Sequence, residues 1–393
     1  MERIGIYGGS FNPPHIGHIQ AAKQAVEVLG LDKLLVIPAG IAPHKQMPGN
    51  SPTPRQRLDM LRLTLADCPQ IEVSDLELMR EGPSYTYETI LQLREQYPDA
   101  CLILFMGTDM FLSIDTWKHP EIILENATLG VFYRGEKGEA QAIEQKKAEL
   151  EAAWGAKVEL VQNVVIPISS TQMRRLLAFR CAGAFLPEGV LDYIREYRLY
   201  DTRADWKNLP MEQLEKVVIS LLKPNRVAHV LGCRDTAVEL AKRWGADPID
   251  AARAGILHDI TKAIDGPLQL TLCEAYGKIL SDFSRRYPKT LHALTGSLVA
   301  KRIFGENDQV VSAIEHHTTG KADMNLLEKI IYVADYMEPN RNFPGVENLR
   351  ELAYTDLDAA MKLGLQMTLE HLKRQGAEVS PASREALEWF NKQ

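Results

Sequence analysis

Across residues 1–200 the chain alternates short apolar runs with helical patterns, and beyond them the alternation stops. Strand-like runs fall at 4–7, 34–37, 71–73, 102–106, 129–133 and 158–166. Helical patterns lie between them, near 18–29, 54–66, 86–96, 139–153 and 171–179, with a closing helix at 188–196. Such an order predicts an α/β, Rossmann-like domain: a doubly wound parallel sheet with helices on both faces. From Met211 onward helical patterns dominate, at 211–222, 225–244, 248–259, 288–304, 308–316, 324–338, 356–374 and 381–391. That half reads as an all-α bundle. The expected division is 1–203, a linker over 204–210, and 211–393.

Composition narrows what such a pair of domains can do. With 393 residues, two domains are the default. The net charge of −7 argues against a nucleic-acid binder held by phosphate contacts. The five cysteines, at 68, 101, 181, 233 and 273, are scattered with no CxxC pair, which suits reduced thiols. No apolar run nears the roughly 20 residues that span a bilayer, so no membrane partner is expected. The chain runs directly into a strand without a leader pattern, and a cytoplasmic location is expected. Oligomeric state stays open, with a homo-oligomer allowed.

The most informative stretch is Gly8-Gly9-Ser10-Phe11-Asn12-Pro13-Pro14-His15-Ile16-Gly17-His18, between the first strand and the first helix. Ligands of open α/β sheets bind outside the carboxyl ends of the strands. Glycines there let backbone approach phosphate, and the following helix N-terminus attracts anions. The His-x-Gly-His spacing lets His15 and His18 address one phosphate. A second segment, Ile168-Ser169-Ser170-Thr171-Gln172-Met173-Arg174-Arg175, follows the last strand and opens a helix. Serine and threonine at a helix start leave N–H groups facing an anion. Arg174, one turn in, is placed to reach phosphates.

Both segments resemble the signatures of the nucleotidyltransferase superfamily, whose members attack the α-phosphate of a nucleoside triphosphate and expel pyrophosphate. The resemblance implies an ATP site formed by Gly8, Gly9, Ser10, Phe11, His15, His18, Ser169, Ser170, Thr171 and Arg174, with His15, His18 and Arg174 catalytic. Mg²⁺ would enter with the triphosphate. Three further segments address the acceptor: Pro43-His44-Lys45, Ser84-Tyr85-Thr86-Tyr87-Glu88-Thr89, and Gly107-Thr108-Asp109 with Trp117 beyond. With the turn, they resemble the nicotinate-nucleotide adenylyltransferase (NadD) family over residues 1–200. That likeness implies nicotinate mononucleotide as acceptor, held by His44, Lys45, Thr86, Asp109, Trp117 and Arg134, with the indole stacked on the pyridine ring. Phosphopantetheine or glycerol phosphate, the acceptors of sister families, are the alternative.

The second half holds His229, His258-Asp259, His292, His316-His317 and Asp335, each on or at the end of a different predicted helix. A bundle can point such side chains into one cavity. Four imidazoles and two carboxylates exceed one tetrahedral ion and suit a pair of first-row metals, with Asp259 placed to bridge. Adjacent residues on a helix lie about 100° apart, so only one of His316 and His317 can ligate well. His119 and His371 have no such company and read as structural or surface residues.

The order and local wording resemble the HD-domain phosphohydrolases, and in particular the YqeK family of symmetrical bis(5′-nucleosyl)-tetraphosphatases. The segments are Arg226-Val-Ala-His229, Ala254-Gly-Ile-Leu-His258-Asp259-Ile-Thr-Lys262, His292-Ala-Leu-Thr-Gly296, His317-Thr318-Thr-Gly320 and Ala334-Asp335-Tyr-Met-Glu-Pro-Asn-Arg341. The resemblance implies a di-iron-type site of His229, His258, Asp259, His292, His317 and Asp335, cleaving diadenosine tetraphosphate to two ADP. It selects His317 over His316, makes Asp259 and Lys262 catalytic, and adds His229, Lys262, His317, Thr318 and Arg341 as dinucleotide contacts. Ligand chemistry alone admits Fe, Mn, Co or Zn. Another nucleotide phosphohydrolase, or a sensor that binds without turnover, is the competing reading.

Overall fold

The computed structural model describes residues 1–43, 47–133, 138–162, 166 and 168–392. The chain divides into two compact units, Met1–Arg203 and Ala204–Gln393.

The first unit carries six strands: β1 (Arg3–Gly9), β2 (Lys33–Pro38), β3 (Ile71–Val73), β4 (Cys101–Gly107), β5 (Thr128–Tyr133) and β6 (Val158–Gln162). Its helices are α1 (Ile16–Val28), α2 (Pro54–Leu65), α3 (Thr86–Gln96), α4 (Thr108–Leu112), α5 (Pro120–Asn126), α6 (Glu139–Trp154), α7 (Ser170–Ala178) and α8 (Glu188–Glu196). The strands form one parallel sheet in the order β3-β2-β1-β4-β5-β6. Ile4 registers with Lys33 on one side, and Ile6 with Leu104 on the other. Strand order reverses between β1 and β4, which opens a crevice at their carboxyl ends.

The period of two along each strand divides the core between the two faces. Ile4, Ile6, Leu35, Ile37, Leu104 and Val131 pack against Ile90 and Leu93 of α3, Ile123 of α5 and Ile143 of α6. Leu34, Val36, Ile103, Phe105 and Phe132 pack against Ala22 and Ala25 of α1 and Leu61 of α2. Local signals agree with these elements. Thr53 and Gln56 form a capping box before Pro54, and Ser169 caps α7 by accepting from the Gln172 N–H.

The second unit is built of helices: α9 (Met211–Leu221), α10 (Val227–Trp244), α11 (Pro248–Leu257), α12 (Gly266–Ala275), α13 (Asp282–Arg286), α14 (Leu291–Val299), α15 (Asp308–His316), α16 (Leu326–Met337), α17 (Val346–Thr355), α18 (Leu357–Arg374) and α19 (Pro381–Phe390). Helix α16 buries Ile330, Ile331, Tyr332, Val333 and Ala334 around its circumference, the mark of a central helix. Residues expected as a linker pack into this unit: Trp206 stacks on Phe304, and the Asn208 N–H donates to the Phe304 carbonyl. The helix expected over 288–304 is broken into a 3₁₀ turn at Pro288–Thr290, α14, and a π turn at Ala300–Phe304. No described helix is long and apolar enough to cross a membrane.

Candidate active sites

In the first unit, α1 begins at Ile16 with His15 as N-cap, so His18 lies in the first turn of the helix. No acidic residue sits in that turn to offset its positive end. The two imidazoles lie with ring centroids 3.7 Å apart. The His15 backbone N–H donates to His18 Nδ1 at 3.1 Å, so a neutral His18 carries its proton on Nε2. Both ring nitrogens of His15 are buried without a hydrogen-bond partner. That burial lowers its pKa to about 4, so the ring is neutral at physiological pH. A side chain at Gly17 would press on the His15 ring, so the missing Cβ makes room for the imidazole.

The two histidines line a cavity of about 420 Å³, with Gly107, Thr108 and Asp109 from the end of β4 and Ser169 and Ser170 from the start of α7. A second cavity, of about 450 Å³, is lined by Gly8, Gly9, Ser10, Ser84, Thr86, Trp117 and Lys118. The two share Tyr7, Phe105, Gly107 and Met110, so they meet over the β1–β4 crevice. Asp109 thus lies on the histidine side, apart from Thr86 and Trp117. The Lys118 ammonium sits 4.1 Å from the Tyr85 ring centroid, leaving positive charge at the second cavity. His44, Lys45 and Arg134 lie outside the described residues.

Other expected residues act from behind. Phe11 is buried, with its ring edge-on to Tyr7 and His18. Arg174 donates to the Asn12 carbonyl at 2.7 Å and to Thr171 Oγ1 at 3.1 Å, and Ser170 Oγ donates to the Pro13 carbonyl. Two residues that the motifs do not contain complete this brace. Buried Arg57 donates to the carbonyls of Ser10, Ala39 and Gly40, and the Tyr200 hydroxyl donates to Asn12 Oδ1. No local pattern marks either one, since their partners are carbonyls and an amide distant in sequence.

In the second unit, His229 comes from the first turn of α10, and His258 caps the end of α11 with Asp259 next. His292 opens α14, His317 caps the end of α15, and Asp335 lies on the central α16. His258, Asp259, His292 and His317 are all buried. Asp259 stands in the middle. Its Oδ2 faces His229 Nε2 at 3.7 Å and His258 Nε2 at 3.5 Å, and its Oδ1 faces His292 Nε2 at 3.5 Å and His317 Nε2 at 3.8 Å. Asp335 Oδ1 closes the first group, 3.1 Å from His229 Nε2. His316 turns away and bonds the Ser312 carbonyl through Nδ1.

Each of these four imidazoles is backed at Nδ1. His258, His292 and His317 face the carbonyls of Gly255, Lys289 and Ile314, and His229 faces the Glu338 carboxylate. Acceptors at Nδ1 place the proton there and leave Nε2 to bind a cation. Burial lowers His292 to about 4 and His317 to about 3, which favours the neutral, ligating form. Burial opposes ionisation of Asp335, but His229, His258 and Arg341 outweigh it and hold the carboxyl well below its usual range. Asp259 Oδ1 is buried without a hydrogen-bond partner. An orphaned carboxylate oxygen beside two imidazole nitrogens fits a metal ligand, and His229, His258 and Asp335, like His258, Asp259 and His317, lie close enough together to hold a cation.

Cations rim the cluster. Arg226 donates to Asp259 Oδ2, Arg341 to Asp335 Oδ1 at 2.6 Å, and Lys262 Nζ lies 2.9 Å from His292 Nε2. Lys262 is delivered by a turn, because α11 ends at Leu257, short of the expected 259. The Thr318 hydroxyl lies 3.1 Å from both His292 Nε2 and His317 Nε2. Arg226 stands in the Arg226-Val-Ala-His229 segment, but its partner Asp259 lies 33 residues further on and only the fold brings them together.

Comparison with known proteins divides at the same place as these two sites. A cytidylyltransferase-like family profile matches residues 6–176, and an HD-domain profile matches residues 226–340. A probable nicotinate-nucleotide adenylyltransferase of Acidithiobacillus ferrooxidans is 38% identical over 213 residues, covering 51% of this chain and 97% of the relative. One from Neisseria meningitidis is 32% identical over 206 residues, covering 51% of this chain and all of the relative. Among solved structures, a predicted HD superfamily hydrolase involved in NAD metabolism, from Clostridium acetobutylicum, is 36% identical with a TM-score of 0.46, covering 47% of this chain and 98% of that one. The first half of the chain belongs to the nicotinate-nucleotide adenylyltransferase family, and the second half carries an HD domain.

Proposed function

We propose that the chain is a bifunctional enzyme whose first unit makes a phosphoanhydride bond and whose second unit breaks one. In the first, the nicotinate mononucleotide phosphate attacks the α-phosphate of ATP and expels pyrophosphate, giving deamido-NAD. The single observation that carries this is His15: a buried imidazole with neither nitrogen partnered, on the wall of one cavity that meets another lined by Thr86 and Trp117. Transfer of this kind depends on positioning and charge stabilisation rather than covalent help from the protein. His15 and the Nε2–H of His18 donate to the α-phosphate as charge develops. The start of α1 adds its positive end, and Arg57, Arg174 and Tyr200 hold the loop that carries these groups. ATP brings Mg²⁺ as part of the substrate. Thr86 and Trp117 hold the acceptor together with His44, Lys45 and Arg134, and Asp109 contributes from the wall of the histidine cavity. The test is pyrophosphate release across an acceptor panel. Release with phosphopantetheine or glycerol phosphate, and none with nicotinate mononucleotide, refutes the assignment.

For the second unit we propose symmetrical hydrolysis of diadenosine tetraphosphate to two ADP. Support comes from Asp259, whose two oxygens face separate pairs of imidazoles. Two ions, proposed to be iron, would be held by His229, His258 and Asp335 on one side and His292 and His317 on the other, with Asp259 shared. When bound, such ions lower the pKa of water and stabilise the entering and leaving phosphate oxygens. Arg226, Lys262 and Arg341 neutralise the tetraphosphate, and Thr318 adds a hydroxyl donor. ADP release abolished in Asp259→Ala with the fold intact supports this reading; tight binding without cleavage by the wild type sinks it. A cytoplasmic setting suits both substrates.

A further inference from the structure

Four imidazoles face the centre of the second unit, but only one is backed by a carboxylate. Three hand the Nδ1 proton to a backbone carbonyl three residues earlier. His229 Nδ1 instead lies 3.1 Å from Glu338 Oε1. Glu338 is 1% exposed and follows α16 three residues after Asp335. Its other oxygen accepts from the Asn340 backbone N–H and from Asn340 Nδ2, both at 2.8 Å. A Cβ on Gly232 of α10 would overlap that same carboxylate oxygen, so the helix carries a glycine where Glu338 needs room.

We propose that Glu338 is a positioning residue that fixes the tautomer of His229, so that its Nε2 is available to one of the two metal ions. The inference rests on the metal-centre reading above. A carboxylate only accepts, so the His229 proton sits on Nδ1 and the Nε2 lone pair points toward His258 and Asp335. The two Asn340 donors hold Glu338 in one orientation. They also make the one-atom change to glutamine disruptive. In Glu338→Gln the amide oxygen must face Asn340, which turns the NH₂ group toward His229 Nδ1. That nitrogen must then accept, which moves the imidazole proton to Nε2, the ligating atom.

The test uses the full chain stripped of metal, titrated with Co²⁺ alone and followed by visible absorption, with bound metal counted at saturation. Wild type binds two ions. Glu338→Gln weakens one of them by about 10–100-fold and leaves the other unchanged. Asn340→Ala keeps the carboxylate but frees one of its anchors, and weakens the same ion by a smaller factor. This variant carries the test if Glu338→Gln fails to fold by circular dichroism. Wild-type affinity for both ions in the folded variant, or an equal loss of both, overturns the inference while the metal centre stands. A wild-type chain that takes up no Co²⁺ overturns the metal-centre reading, and this inference with it.

Discussion

The Tyr200 hydroxyl donates a 2.7 Å hydrogen bond to Asn12 Oδ1 across 188 residues of sequence. Both side chains are buried, and Asn12 also donates to Ser51 Oγ and presents its carbonyl to Arg174. The end of the first unit therefore anchors the loop that its first strand delivers to the histidines. Removing the hydroxyl in Tyr200→Phe leaves a buried acceptor unpaired, at a cost of about 1–3 kcal/mol. Thermal unfolding should show the first-unit transition lowered. The looser loop should also reduce adenylyl transfer by on the order of 10-fold, since small misplacements of reacting groups are expensive. Unchanged stability would mean that Asn12 finds another donor.

His15 is expected to exchange stability for function. Its two buried nitrogens have no partner in the protein, and an apolar residue there leaves no orphan. His15→Leu is expected to lose about 10²–10³ in kcat for pyrophosphate formation. Its first-unit unfolding midpoint should equal or exceed that of wild type. Pyrophosphate release and calorimetry on the same sample read both outcomes. A marked fall in the midpoint would mean that the ring is a structural element.

The same residue makes the first unit sensitive to acid. Burial lowers the folded-state pKa from 6.5 to about 4, so between these values the unfolded chain binds a proton that the folded one excludes. Stability from this group is present above about pH 6.5, declines as pH falls, and is lost near pH 4. At about 1.4 kcal/mol for each pKa unit the loss approaches about 3 kcal/mol. Urea unfolding of His15→Leu should show a shallower pH dependence than wild type across that window. Parallel curves would contradict the assignment.

Chelation separates the two activities. Metal removal, followed by dilution into Mg²⁺ and ATP, is expected to leave pyrophosphate formation intact while ADP release from diadenosine tetraphosphate disappears. The second-unit unfolding transition should fall, because ions that bind only the folded state add to its stability. Restored hydrolysis on adding Fe²⁺ or Mn²⁺ completes the experiment. Hydrolysis that survives chelation would remove the metal from the reaction.

Much of the architecture was legible because its signals are local. All six strands occur where short apolar runs predict them, and the neighbouring residues Leu34 and Leu35 of β2 pack on opposite faces of the sheet. Helix α12 is missing from the helical patterns expected from the sequence, although Pro267 occupies the first turn of the helix, where its missing N–H costs nothing. The π turn after α14 was equally hidden, since a changed hydrogen-bond register leaves little trace in hydrophobic periodicity. At the sites, the motif residues His15, His18, His258 and Asp259 stand out by chemistry and spacing. Arg57, Tyr200 and Glu338 do not. Each acts on a partner far away in sequence, and only the fold brings an arginine to the Ser10 carbonyl or a glutamate to His229.

One chain is expected to form a phosphoanhydride bond at one site and to cleave one at another. The direct measurement takes wild type, His15→Leu and Asp259→Ala through two assays: pyrophosphate from ATP with nicotinate mononucleotide, and ADP from diadenosine tetraphosphate. Wild type should give both products, His15→Leu only ADP, and Asp259→Ala only pyrophosphate. A wild-type chain that forms no pyrophosphate from this pair, or that leaves diadenosine tetraphosphate uncut with its metal bound, would contradict the account.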